Sequence, residues 1–310
     1  MRRSDEENRK LHGRDIYAWS KATERLLLDH RIHEIDWDTV AFEIEKSGEA
    51  NDANPMREAV EKLLTHLTIW QLRPDYQGPD RQAKIESARF KLDDILSRSP
   101  SLAGLIESEW RDLHARARFS AMLIMEEPAA ATELETEAEA ACGVIMRLSL
   151  GIATKSAGHN EDCDEDHYAW CRAQAIAARS RELDELDLIG IAEEIASVGA
   201  SVRRSVIEAS ARLLEMLIAW QAGSRILRLR DRIASDRAHL RELLRGNASL
   251  AASPQLMTEA YKFAAKERPR RIVARESIGS QSCPWTLAQV LDDATISECE
   301  VKLFRAKRRS

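Results

Sequence analysis

Asp15-Ile16-Tyr17-Ala18-Trp19 returns as Asp166-His167-Tyr168-Ala169-Trp170, a shift of 151 positions. At the same shift Ile35-Asp36 returns as Leu186-Asp187, Ala41-Phe42-Glu43-Ile44 as Ala192-Glu193-Glu194-Ile195, and Gly48 as Gly199. One residue is then missing from the second copy. Leu63-Leu64 and Trp70-Gln71 return as Leu213-Leu214 and Trp220-Gln221, a shift of 150. Further on, residues 96–102 (LSRSPSL) match residues 244–250 (LRGNASL). A long fixed-period repeat means that one folding unit is present twice. Each copy then serves as a reference for unusual residues in the other.

Within a copy the pattern is helical. Gly and Pro are sparse, at 12 and 8 of 310 residues, and apolar residues recur at three- and four-residue spacing. In the first copy, Tyr17, Trp19, Ala22, Leu26 and Leu27 share one face of an opening helix over 16–29. Asp36 sits where the N-cap of the next helix belongs. That helix carries Val40, Ala41 and Ile44 and is expected to stop at Gly48, in the left-handed conformation that glycine tolerates. A third helix starts near Pro55 and carries Ala59, Leu63, Leu67 and Trp70. Pro74, Gly78 and Pro79 break the chain before a fourth helix over 82–96. A fifth follows Ser99-Pro100-Ser101 and holds Leu105, Ile106, Trp110 and Leu113. The second copy repeats this plan from 166 to about 266 and adds a closing segment, Cys283-Pro284-Trp285-Thr286-Leu287. The expected fold is all-α: two tandem homologous units of about five helices each. The expected boundaries are 1–125 and 164–310, with an acidic connector at 126–163 and a basic tail.

The D-x-Y-x-W opening, the [IL]-D-x-x-x-[IV]-A-x-E-I-x-x-x-G segment, the L-L-x-x-L-x-x-W-Q helix and the closing C-P-[WY]-T-L-x-Q-V-L-D resemble the bacterial helical family catalogued as domain of unknown function 29. The likeness covers nearly all of both copies. The first copy lacks the closing motif, and family members usually carry one copy. The resemblance implies an all-helical fold and brings no catalytic residue or cofactor.

Charge is distributed unevenly. The total is −6. Residues 126–166 hold eleven carboxylates against Arg147 and Lys155, a net of about −9, whereas residues 224–276 carry a net of about +7. No run of apolar residues is long enough to cross a membrane, and the amino terminus lacks the apolar core of a secretion signal. Five cysteines without a C-x-x-C pair suit a reducing compartment. The expected location is cytoplasmic, with no membrane partner.

Candidate functional residues fall into four groups. The repeated aromatics Tyr17, Trp19, Trp70, Tyr168, Trp170 and Trp220 read as core, since each buries a large apolar area. Among the repeated polar residues, Asp15, Asp36, Asp166 and Asp187 read as helix caps, a role that accounts for Asp15 and Asp36 completely. Gln71, with Glu43, is expected to tie helices together by buried hydrogen bonds. Glu43 and Glu194 are nevertheless the repeated groups placed best for a polar site, because a mid-helix carboxylate among apolar residues needs a partner. His30 and His33 read as an exposed helix end, His66 as a packed site occupied by Met216 in the second copy, and Cys283 as a structural thiol. No phosphate-loop, nucleophile-elbow or zinc-protease motif occurs, and no metal or cofactor is expected.

The fourth group is basic: Arg225, Arg228, Arg232, Arg237, Arg241, Arg245, Arg270 and Arg271. Such an array can neutralise phosphates, dock a protein, or form a solvated face. The expectation is a non-enzymatic helical interaction or assembly module, with a protein partner or self-association, the two copies packing as a pseudo-dimer. Nucleic-acid binding by the basic second copy is the alternative, and an enzyme or metal site using the repeated carboxylates is the third.

Overall fold

The computed structural model describes residues 3–125, 166–221, 227–267, 283 and 285–292. In the first repeat α1 spans Arg3–Arg14, α2 Ile16–Leu28, α3 Trp37–Gly48, α4 Asn54–Leu72, α5 Pro79–Arg98 and α6 Leu102–Met125. In the second, α7 spans His167–Ser180, α8 Leu188–Gln221, α9 Leu227–Arg245, α10 Ala248–Ala251, α11 Leu256–Glu267 and α12 Leu287–Leu291. No strand occurs among the described residues. The expected all-α class and the helix order are therefore observed. The acidic connector, Arg225, Arg270, Arg271 and the basic tail lie outside the described residues.

Sequence repeats and compact units divide the chain differently. One unit is discontinuous, residues 1–40 with 187–310, and the other is continuous, residues 41–186. Each unit therefore combines the opening helix of one repeat with the main helices of the other. In the discontinuous unit α2 lies along α8, which also carries α9 and α11. Tyr17 from α2 packs against a core of Val206, Leu213, Leu214, Ile233, Leu240, Leu250 and Ala260. In the continuous unit α4 packs on α5 and α6. Tyr168 from α7 is buried with Val60, Leu63, Leu64, Leu92, Ile95, Leu102 and Leu113. Most helices expose polar residues on the opposite face, so their stability comes from burying the apolar stripe against a neighbour.

Gly48 does not end its helix in the left-handed region. Its φ and ψ are −58° and −41°, and a π turn over Glu49–Ala53 carries the chain directly into α4, with the Asn54 amide donating to the Glu49 carbonyl. A π turn holds one more residue than the α-helix it interrupts. The second repeat, which is one residue shorter here, runs as the uninterrupted 34-residue α8. The change of shift from 151 to 150 is thus the π turn seen in sequence.

The recurrence of glycine at positions 48 and 199 has a different cause from helix termination. A Cβ at Gly48 would lie 2.9 Å from the Cβ of Cys171, and one at Gly199 would lie 2.1 Å from the Ser20 hydroxyl. Ser20 and Cys171 are themselves equivalent at the 151-residue shift. Both glycines let an opening helix of the other repeat approach closely.

Candidate helix-docking site

The opening helices are seated by the same hydrogen-bond set in both units. Asp15 caps α2 through the Ala18 amide at 2.8 Å. Its carboxylate also accepts from the Ser249 amide at 2.5 Å and hydroxyl at 2.9 Å. The Tyr17 amide donates to the Asn247 side chain at 3.1 Å. In the continuous unit, Asp166 caps α7 through the Ala169 amide at 2.9 Å and accepts from the Ser101 amide at 2.6 Å and hydroxyl at 2.9 Å. The Tyr168 amide donates to the Ser99 hydroxyl at 3.3 Å. Receptor pairs Asn247/Ser249 and Ser99/Ser101 come from the repeated LRGNASL and LSRSPSL segments.

Capping therefore does not account for Asp15 completely. Its carboxylate is 5% exposed and serves as a clasp between an opening helix and its dock. The same correction applies to Asp36. It accepts from Thr39 at 2.7 Å and from Arg9 of α1 at 3.0 and 3.1 Å. Burial pushes its carboxyl up, but the bonds from Arg9 and Thr39 outweigh burial and hold it below the usual carboxylate range. Asp187 accepts from the Gly190 amide at 2.9 Å, as a cap does.

The dock for α7 carries a polar cluster that the sequence pattern did not reveal. Asp52 in the π turn lies 2.6 Å from His167 Nδ1, and the Tyr168 hydroxyl lies 3.2 Å from Glu49. Arg57 joins Glu49 to Glu109 with bonds of 2.7 to 2.8 Å. That guanidinium holds the Glu109 carboxyl below its usual value. Burial raises the Tyr168 phenol above its ordinary value, Arg172 pulls it back in part, and Glu49 adds to the rise. Cys171 Sγ is 3.6 Å from His167 Nε2 and 4.0 Å from Nδ1. Near-equal distances leave the sulfur in line with the lone pair of neither nitrogen. With Cys171 buried as well, the Cys–His–Asp group lacks the nucleophile–base geometry of a covalent catalyst. The one sequence signal for this cluster is that Asp52 and His167 have no counterparts of like chemistry: Ile16 stands opposite His167, and Val202 and Arg203 bracket the position of Asp52.

Other candidates are scattered. Glu43 is 2% exposed and pairs with Lys46 at 3.1 Å, whereas Glu194 is half-buried. Gln71 is exposed, which overturns the buried tie expected of it. His30 and His33 are exposed, and His30 ends its helix at a φ of 54°, matched by Arg181 at 62°. Trp19 and Tyr168 are buried, while Tyr17, Trp70 and Trp220 are partly buried against the cores. Burial raises the Cys283 thiol above its ordinary value.

The arginines of α9 divide into two kinds. Arg237 is 1% exposed and donates through Nε to the Val290 carbonyl at 2.8 Å; Arg241 donates to the Leu291 carbonyl at 2.5 Å. These two hold the carboxyl end of α12, whose amino end is a Thr286/Gln289 capping box. Arg237 is thus withdrawn from the expected surface array because it covers helix-end carbonyls that α12 leaves open. Arg232 is exposed, and Arg245 is exposed and pairs with Glu242. Arg228 lies within α9.

The family profile described as "Domain of unknown function DUF29" matches residues 11–142 and 163–295. The chain belongs to the DUF29 family, with two tandem copies. No curated protein and no solved structure matches the chain. Each DUF29 match contains its own opening helix in sequence, whereas each compact unit contains the opening helix of the other match. No helix among the described residues is long and apolar enough to cross a membrane.

Proposed function

We propose that this protein is a cytoplasmic, non-enzymatic assembly module whose working element is the DUF29 opening helix. The observation that carries this reading is the clasp found twice. An Asp-x-Tyr turn at the start of an opening helix meets a receptor of the form [NS]-x-Ser on the other repeat. Reciprocal exchange of one element is the geometry of a swapped dimer, here contained in a single chain. Because both repeats belong to one chain, each opening helix is held at high local concentration relative to its dock, so closure within one chain prevails over exchange between chains.

The test cuts the connector. A protease site is inserted between residues 126 and 165, and the folded protein is cleaved. If the opening helices are exchanged, each compact unit holds parts of both fragments. The cut protein then runs at the mass of the intact chain, and Asp15→Ala with Asp166→Ala makes the fragments separate at lower urea. Spontaneous separation of wild-type fragments into two species sinks the reading.

The alternative, nucleic-acid binding by the second repeat, is supported by the exposure of Arg232 and Arg245. It is weakened by the use of Arg237 and Arg241 as caps for α12. Retention on nucleic acid that falls steeply with salt, and disappears in an Arg232→Glu, Arg245→Glu variant, would favour it over the assembly reading.

A further inference from the structure

The docks for α2 and α7 share their clasp and differ at the π turn. Asp52 is carried by that turn with its side chain 2% exposed, and it faces His167, 36% exposed, at 2.6 Å. A buried carboxylate is stable only with a partner, and losing that partner costs more than the pair contributes. A neutral imidazole offers Asp52 one hydrogen bond. An imidazolium offers the same bond with charge behind it, which is the stronger form. Around the pair, Glu49 receives the Tyr168 hydroxyl, and Arg57 neutralises Glu49 and Glu109. Asp166 is taken by Ser101, Arg172 stacks over the Tyr168 ring, and Cys171 lies against the imidazole. Imidazole is the side chain whose ordinary titration falls between pH 5 and 8. Ile16 occupies the His167 position in α2, so docking α2 against this turn would bury Asp52 unpaired.

We propose that His167 and Asp52 form a selectivity lock, through which the first repeat's dock takes an opening helix that begins with histidine and holds it more tightly when the imidazole is protonated. The lock rests on the reading of opening helices as docking elements. It also explains why the π turn and its extra residue occur in one repeat only: the uninterrupted α8 has no turn to project such a carboxylate.

Hydrogen–deuterium exchange of the α7 amides in the full chain, corrected for intrinsic rates, tests this at about pH 5.5 and pH 8, on either side of the ordinary imidazole value. In the wild type, α7 protection should fall about tenfold at the higher pH, the equivalent of one charge-assisted increment, with α5 unchanged. His167→Gln, which keeps a donor but cannot titrate, should show no such fall. His167→Ile should lower α7 protection at both pH values, and adding Asp52→Leu should restore it; that double variant also covers the case in which His167→Ile alone fails to fold. A pH-independent wild type, an equal fall in His167→Gln, or wild-type protection in His167→Ile overturns the lock. A cut chain that stays whole while any of these occurs rejects the lock and leaves the exchange standing.

Discussion

The Asp15 carboxylate accepts from both the amide and the hydroxyl of Ser249, a residue 234 positions away in sequence. It caps α2 at the same time. Losing an N-cap costs about 1 kcal/mol, and each further hydrogen bond contributes about 1 kcal/mol. Asp15→Ala should therefore lower stability in urea by about 2–3 kcal/mol. Ser249→Ala should cost less, because the amide bond remains. The Asp15→Ala, Ser249→Ala double variant should fall short of the sum, since both changes remove the same contact. Strict additivity would show that the two residues are not coupled.

The two glycines give a sharper comparison. Alanine at a helical glycine normally stabilises by about 0.5–1 kcal/mol. Here Gly199→Ala should destabilise, because the new methyl meets the Ser20 hydroxyl at 2.1 Å. Overpacking of this kind costs about 1–3 kcal/mol. Ser20→Ala removes the offending oxygen and should recover most of the loss. Gly48→Ala meets the Cys171 Cβ at 2.9 Å, an atom that alanine keeps, so Cys171→Ala should give much less recovery. Equal rescue in the two units, measured by thermal unfolding, would contradict these approaches.

Helix order, helix class and the doubling were legible because periodicity and repetition are local or internal to the sequence. Partner choice was not. Both repeats carry the same Asp-x-Tyr opening and the same Ser-containing receptor, so the clasp bonds by themselves are met equally well on either repeat. Asp15 could be read as a cap, which is a local role, but its contact with Ser249 is not local. Gly48 shows the same limit. Glycine near an expected helix end has two physical uses, a left-handed cap and a close approach, and only the position of Cys171 distinguishes them. The missing residue between Gly199 and Leu213 was visible, yet a deletion does not announce that its counterpart is a π turn. Arg237 looked like part of a cationic stripe because its acceptor, the Val290 carbonyl, is backbone and leaves no trace in side-chain pattern.

Arg237 and Arg241 stand one helical turn apart on α9 and reach consecutive carbonyls at the end of α12. A hydrogen bond from a charged donor contributes about 1.5–3 kcal/mol. Arg237→Met should therefore destabilise the discontinuous unit by about that amount and speed amide exchange in α12 ahead of α11. Because Arg237 is buried, salt should change its contribution little. If Arg237→Met left α12 exchange unaltered, the closing segment would be held by Arg241 and the apolar contacts of Val290 without help from Arg237.

His66 supplies a pH test of the continuous unit. The Arg81 guanidinium, which can only donate, lies 2.8 Å from Nδ1, so the neutral ring carries its proton on Nε2. Burial first, then the nearby charges of Arg81, Lys84 and Lys62, lower this histidine from 6.5 to about 4. The unfolded chain therefore takes up the proton first as pH falls. Stability from this site is fully present above about pH 6.5, declines as pH drops towards 4, and changes no further below that. His66→Met, which installs the Met216 side chain of the second repeat, removes the titration. The stability of the variant relative to wild type should then rise as pH is lowered through that window and stay flat above it, read from urea midpoints across the range. A difference that is constant with pH would mean that folded His66 titrates like an ordinary surface histidine, and that neither burial nor its cationic neighbours govern it.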